Sequence, residues 1–134
     1  MTNIEKVMDY LNKAEIFYVA TVAGDQPKCR PFSFKMEYDG KLYFGAGTFK
    51  DVYRQLQANP NIEICASTGQ GFLRYYGIAV FNHDPQIEQA ALEKMPMLKN
   101  IYNEQTGKRL GMFYLENATA EFRSMLNVEE SLEM

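Results

Sequence analysis

The sequence predicts a mainly β fold in which six short strands close into a barrel flanked by a few helices. Its 134 residues fit a single domain, 1–134, and no linker or internal repeat divides them. Six short runs are rich in β-branched and aromatic residues and are joined mainly by hairpin-type turns. The helical patterns between these runs are too few and too clustered for a doubly wound α/β fold.

Local signals define each element in the first part of the chain. Thr2 and Glu5 form a capping box, and apolar residues follow at helical spacing, which predicts a helix over about Asn3–Lys13. A run of β-branched and aromatic residues comes next, and then a segment that alternates aromatic and polar residues. Asp39-Gly40 predicts a tight hairpin at the end of that segment. The strands predicted here are Ile16–Val22, Phe32–Tyr38 and Lys41–Gly45.

The second part of the chain follows the same logic. A helix over about Asp51–Ala58 ends at Asn59-Pro60, and Asp84-Pro85 begins another helix, with a short one after Pro96. The strands predicted here are Ile62–Thr68, Phe72–Phe81 and Met112–Phe122. The tail, about 128–134, is acidic and is expected to fray.

Composition and charge exclude several classes of protein. The net charge of −3 argues against a general nucleic-acid binder, so any anion must be held by a local cluster. The N-terminus lacks the pattern of a signal peptide, and no apolar run is long enough to span a bilayer. Cys29 and Cys65 lie far apart in the sequence and predict free thiols in a reducing cytoplasm. The single His83, in a turn, leaves little room for a zinc site or a catalytic triad.

The segment Leu42–Leu56 (LYFGAGTFKDVYRQL) carries the clearest chemical signal. A strand leads through glycines into a helix, whose unpaired N–H groups favour an anion. Lys50 opposes the helix dipole there unless an anion is bound. Alternatively, Thr48 and Asp51 form an ordinary capping box, and Asp51 offsets Lys50.

The segment CRPFSF gives a second signal. Side chains two residues apart in a strand share a face, so Arg30 should lie on the same apolar face as Phe32 and Phe34. A guanidinium on that face needs contact with water or an anion. Pro31 cannot donate to a ladder and marks a strand edge or a gap that could receive a flat ring. Alternatively, Arg30 lies at the strand end and reaches solvent.

The segment Gln70–Gly77 (QGFLRYYG) is the third. Its arginine and tyrosines fit either an interface or an ordinary amphipathic strand.

In this order and spacing, the three segments resemble the pyridoxamine-5′-phosphate-oxidase-like FMN-binding split-barrel family. Within it, the chain is similar to small members related to nitroimidazole-resistance (Nim-type, NimA/NimC) proteins, over about Ile16–Phe122. The resemblance implies a six-stranded antiparallel split barrel and a homodimer with flavin mononucleotide (FMN) at the subunit seam.

The resemblance also implies a set of site residues. Arg30 and Lys50 would hold the FMN phosphate, with Thr48 hydrogen-bonded to it. The ring would lie against Pro31, Phe32 and Ser33 and the backbone of Phe44, Gly45 and Ala46. Phe72 and Arg74 would reach the flavin from the partner subunit.

The implied function is an oxidoreductase that passes electrons from a reduced nicotinamide to a small acceptor such as a nitroaromatic. Alternatives are a non-catalytic flavin store or sensor, and a split barrel that binds haem or another planar cofactor, for which the sequence offers one His and no other clear axial ligand. The C-terminal EFRSMLNVEESLEM has no Trp and is mostly acidic, which argues against a typical pyridoxamine-phosphate oxidase. His83 does not lie where Nim-type proteins carry a histidine near the flavin, and no catalytic residue is identified.

Overall fold

The structure is a computed structural model that describes residues 1–134. Its α-helices are α1 (Asn3–Ala14), α2 (Asp51–Ala58) and α3 (Pro85–Lys94), and a 3₁₀ helix spans Pro96–Asn100. Its strands are β1 (Phe17–Ala23), β2 (Gln26–Phe32), β3 (Met36–Tyr38), β4 (Lys41–Gly47), β5 (Asn61–Ser67), β6 (Phe72–Asn82), β7 (Leu110–Arg123) and β8 (Val128–Glu133). No helix in the structure is both long enough and apolar enough to cross a bilayer.

The capping box predicted for α1 is confirmed. The Thr2 hydroxyl accepts from the Glu5 N–H at 3.1 Å, and the Glu5 carboxylate accepts from the Thr2 N–H at 3.2 Å. Val7 and Leu11, four residues apart on one face, are fully buried against the barrel. The amphipathic pattern that predicted this helix therefore also determines which face it buries.

All strand pairs are antiparallel, in the order β2-β1-β5-β6-β7-β4-β3, with β8 paired to β7. The mainly β class is therefore confirmed, with eight strands rather than six. Strands β2 and β3 are neighbours in the sequence but lie at opposite ends of this order. Edge strand β2 pairs with β1 alone, so its other side is open, as Pro31 predicted.

Two strand predictions were wrong. The strand predicted over Phe32–Tyr38 is a strand only at Phe32 and over Met36–Tyr38, and β2 also covers 26–31, for which no strand was predicted. Phe34 and Met36 still turn inward there, so the alternation continued through a break in the ladder. The tail expected to fray forms β8, because its backbone pairs with β7 and Lys6 forms a salt bridge of 3.1 Å with Glu130.

The core consists of two clusters. In the larger one, inside the barrel, the rings of Phe17, Phe44 and Phe113 contact in series, with centroids 5.6 and 5.7 Å apart. The smaller cluster packs α3 and the segment after it against β3, β4 and β7. This second cluster fixes the 3₁₀ helix beside the ends of β2 and β4, where the candidate site lies.

Candidate functional site

A cleft of about 420 Å³ opens beside the free edge of β2. This volume is within the range of small-molecule sites. The end of β2, the end of β4, the start of α2 and the 3₁₀ segment contribute to it. Its lining residues are Arg30, Pro31, Phe32, Ser33, Phe34, Gly45, Ala46, Gly47, Lys50, Val52, Met95, Leu98, Tyr102 and Leu110. Two of these residues are cations, and none is a carboxylate.

Arg30 enters the cleft from β2 and is held in place by its own chain. Its guanidinium donates to the Val19 carbonyl at 3.2 Å, the Thr21 hydroxyl at 2.8 Å and the Gln55 side-chain oxygen at 2.6 Å. These bonds use three of the five N–H donors of the guanidinium and leave two for a ligand. Burial lowers the pKa of Arg30 from its ordinary value. The side chain therefore turns inward, as its parity predicted, rather than out to solvent.

Lys50 lies directly before α2 and is the N-cap residue of that helix. No side chain caps α2, so the alternative in which Thr48 and Asp51 form a capping box is wrong. Asp51 pairs with Arg54 instead of Lys50. The Lys50 ammonium makes no hydrogen bond or salt bridge with the chain, so the cation and the positive end of the helix dipole lie together at the cleft.

The remaining walls of the cleft are mostly apolar. Leu98 of the 3₁₀ helix and Tyr102, just after that helix, also line the cleft and were not predicted, because their spacing indicated only an ordinary short helix. Gly47 allows this close approach, since a Cβ there would lie 2.7 Å from the Tyr102 hydroxyl. Burial raises the pKa of Tyr102, which favours its neutral form.

Four residues of the predicted set do not line this cleft. Phe44 is fully buried in the core, so only its backbone lies near the site. Thr48 faces a smaller neighbouring cavity of about 180 Å³ that contains His83 and Arg109, with Leu110 between the two spaces. The other two, Phe72 and Arg74, are on β6. The structure thus brings together Arg30, Pro31, Phe32, Ser33, Gly45, Ala46 and Lys50.

Phe72 and Arg74 lie on the outer face of the sheet. The strand registers form a cross-strand row of Pro31, Tyr18, Cys65 and Arg74, one residue from each of β2, β1, β5 and β6. Three strand spacings separate Pro31 from Arg74, about 14 Å. The Arg74 side chain therefore does not reach the cleft of its own chain.

His83 lies outside the cleft. Its Nε2 is 3.0 Å from the Tyr53 hydroxyl, and its ring stacks on Phe81 at 5.9 Å between centroids. These contacts fit the structural role predicted for a histidine in a turn. The cleft itself therefore offers two cations and the hydroxyls of Ser33 and Tyr102, a set suited to binding a phosphate rather than to proton transfer.

The fold of this chain is similar to the folds of several solved structures. A NimC/NimA family protein from Clostridium acetobutylicum superposes with a TM-score of 0.88 at 29% identity, covering 98% of this chain and 92% of that one. A pyridoxamine 5′-phosphate oxidase-related, FMN-binding protein from Nostoc punctiforme gives 0.65 at 16% identity, covering 98% and 88%. A FAD-binding protein from Mesorhizobium loti gives 0.61 at 14% identity, covering 90% and 94%. Among curated proteins, none matches this chain.

The family assignment rests on most of the sequence. The match runs from α1 to the end of β7 and so includes every segment that lines the cleft. With residues 4–122 matching the family, the chain belongs to the pyridoxamine 5′-phosphate oxidase family.

Proposed function

We propose that this protein binds FMN and acts as an oxidoreductase that passes electrons from a reduced nicotinamide to a small acceptor such as a nitroaromatic. One observation carries the proposal: Arg30 and Lys50 share a cleft without carboxylates at the uncapped start of α2. Its relatives include an FMN-binding protein and a NimC/NimA family protein, which supports a flavin as the ligand.

The phosphate of FMN fits the charged end of the cleft. A phosphate monoester carries nearly two negative charges at neutral pH. Two N–H donors of Arg30 and the whole Lys50 ammonium are free to meet it. The uncapped N–H groups of α2 add further donors. Thr48 lies in the adjoining cavity, so in this proposal it contacts the phosphate from the far side of the turn.

The ring of the flavin would occupy the apolar part of the cleft. Pro31, Phe32 and Ser33 line it from the end of β2, and Gly45 and Ala46 line it from β4. When bound, the flavin supplies the hydride chemistry, and the protein binds, orients and shields it. The backbone of β4 can approach closely because Gly45 has no side chain; a Cβ there would lie 3.0 Å from a methyl of Leu110.

A second copy of the chain completes the site in this proposal, contributing Phe72 and Arg74. Arg74 is too far from its own cleft but lies on a face that carries large exposed apolar residues, Ile16 and Tyr18, at 46% and 50% exposure. Such side chains on a sheet face favour a covering partner. The Arg74 guanidinium donates two hydrogen bonds of 3.0 Å to the Glu63 carboxylate, and these bonds fix its position on that face.

The first test is the visible spectrum of the purified protein, with mass spectrometry of any released cofactor. A flavin spectrum and the mass of FMN are expected, and a haem spectrum or a colourless protein that does not take up added FMN would refute the proposal. Anaerobic NAD(P)H should then bleach the flavin.

The two free cysteines, Cys29 and Cys65, support a reducing cytoplasm as the place of action.

A non-catalytic flavin store or sensor is the alternative. It is favoured by one observation, that the cleft holds no carboxylate or histidine that could transfer a proton. It predicts bound FMN that NAD(P)H reduces slowly and that no acceptor reoxidises in turnover.

A further inference from the structure

Tyr102 carries a hydroxyl that forms no hydrogen bond with the rest of the chain. Its side chain belongs to the smaller core cluster, and only 6% of the residue is exposed. No fully buried polar side-chain atom in this structure lacks a partner, so the Tyr102 hydroxyl oxygen must touch open space. Because Tyr102 lines the cleft, that open space is the cleft.

Folding does not explain this hydroxyl. The ring of a phenylalanine would give the same apolar contacts, whereas a hydroxyl that leaves water without gaining a partner lowers stability. Tyr43 shows the usual solution in the same cluster. It is 2% exposed, and its hydroxyl accepts a hydrogen bond from the Asn82 side-chain amide at 3.4 Å. The Tyr102 hydroxyl, by contrast, is available to a ligand in the cleft.

The Tyr102 hydroxyl lies at the charged end of the cleft. A Cβ on Gly47 would lie 2.7 Å from it, so the hydroxyl is placed directly over Gly47 at the end of β4. The Lys50 N–H donates to the Gly47 carbonyl at 2.9 Å, which closes a tight turn between β4 and α2. The two ends of such a turn lie within about 7 Å of each other. The hydroxyl is therefore close to both Lys50 and the uncapped start of α2.

We propose that the Tyr102 hydroxyl donates a hydrogen bond to the phosphate of the bound ligand, as a third side chain beside Arg30 and Lys50. This inference rests on the proposed function, because FMN supplies the phosphate. A phosphate monoester presents three strong acceptor oxygens, which three converging donors can satisfy. The new donor comes from the segment that follows α3, whereas Arg30 and Lys50 come from β2 and the start of α2.

The Tyr102 hydroxyl differs from the two cations in being neutral. Burial raises the pKa of Tyr102, so the hydroxyl keeps the proton that it would donate. A neutral donor acts only over the length of a hydrogen bond, while the charge of Lys50 attracts an anion over a longer distance that salt screens. Removing the hydroxyl should therefore affect only ligands that carry the phosphate, and by a factor that salt does not change.

The variant Tyr102→Phe tests the inference. Fluorescence titration of the flavin-free protein should show FMN affinity about tenfold weaker than in wild type, with riboflavin affinity hardly changed. The melting temperature of the flavin-free variant should equal or exceed that of wild type, because the hydroxyl has no partner in the chain. Unchanged FMN affinity, or an equal loss for riboflavin, would overturn the inference.

Tyr43→Phe is the matched control. Tyr43 is buried in the same cluster but lies outside the cleft, and its hydroxyl already has a partner within the chain. This variant should have a slightly lower melting temperature and unchanged FMN affinity, the reverse of the pattern expected for Tyr102→Phe. An equal loss of FMN affinity in the two variants would assign the effect to packing of the cluster and overturn the inference.

Salt and inorganic phosphate give the final readouts. As the NaCl concentration is raised, the loss of FMN affinity should shrink in Lys50→Ala but stay constant in Tyr102→Phe, and an equal decrease in both would overturn the inference. Inorganic phosphate should raise the melting temperature of flavin-free wild type more than that of Tyr102→Phe. If wild type binds no FMN but shows this difference, the proposed function fails and the phosphate contact of Tyr102 stands. If wild type binds neither FMN nor inorganic phosphate, both are refuted.

Discussion

Replacing Arg30 or Lys50 by alanine should weaken FMN binding to different extents. A hydrogen bond to a charged group contributes about 1.5–3 kcal/mol, and about 1.4 kcal/mol corresponds to a tenfold change in Kd. Arg30 is half-buried and has two unused N–H donors, so its loss should fall at the upper end, about 100-fold. Lys50 is exposed to solvent, which weakens its ion pair with a ligand, so about tenfold is expected.

Titration of FMN fluorescence against protein freed of flavin measures both values. Riboflavin, which lacks the phosphate, is the matched ligand, and its affinity should hardly change in either variant. Lys28→Ala is the matched protein control, because Lys28 is an exposed cation of β2 outside the cleft. Unchanged FMN affinity in both variants, or an equal loss for riboflavin, would refute the assignment of these side chains to the phosphate.

A structural effect of Arg30→Ala has to be separated from loss of a ligand contact. Thr21 and Gln55 remain satisfied in the variant, because the Thr21 hydroxyl donates to the Gln55 oxygen at 2.5 Å. The thermal melting temperature without flavin should therefore stay near that of wild type. A large fall in this temperature would assign Arg30 to folding rather than to the phosphate.

Three further predictions concern stability in chemical denaturation. Burial raises the pKa of Tyr75 to about 12, so Tyr75 ionises in the unfolded chain at a lower pH than in the folded protein. The free energy of unfolding should therefore fall by about 2–3 kcal/mol as pH rises from about 10 to about 12. Tyr75→Phe should not show this fall, and a variant with the same pH profile as wild type would contradict the prediction. Glu88→Ala should cost about 1–3 kcal/mol, since Glu88 accepts from the Leu110 N–H at 2.8 Å, whereas the exposed Glu93→Ala on the same helix should cost almost nothing. Gly77→Ala should also destabilise, by about 1–3 kcal/mol, because its Cβ would lie 2.7 Å from a carbonyl oxygen of β7, and unchanged stability would show that the strand shifts freely.

The parts of the site that sequence predicts best are those with a local signal. The parity of Arg30 along its strand and the position of Lys50 before a helix depend only on nearby residues, and both side chains line the cleft. The contribution of Leu98 and Tyr102 depends on where α3 packs, which is a matter of contacts between distant segments. A short helical pattern contains no information about the strand it will face.

The errors in strand count have a similar origin. Alternation reports which face a side chain takes, and Phe34 and Met36 keep that alternation across the break after β2. Charge reports solvent exposure, and β8 is indeed mostly exposed, yet its backbone pairs with β7. Neither signal reports backbone pairing, which depends on whether a neighbouring strand has an open side.

The surroundings of Arg30 explain why a cation can be kept at the bottom of an apolar cleft. Desolvation disfavours the charged guanidinium and lowers the pKa of Arg30. The charge of the neighbouring Asp51 carboxylate acts in the opposite direction, but Asp51 forms its salt bridge with Arg54. Neutral partners, the Thr21 hydroxyl and the Gln55 amide oxygen, orient the guanidinium without cancelling its charge. A carboxylate in their place would stabilise the empty site and compete with a phosphate. The choice of neutral partners therefore leaves the positive charge available to an anionic ligand.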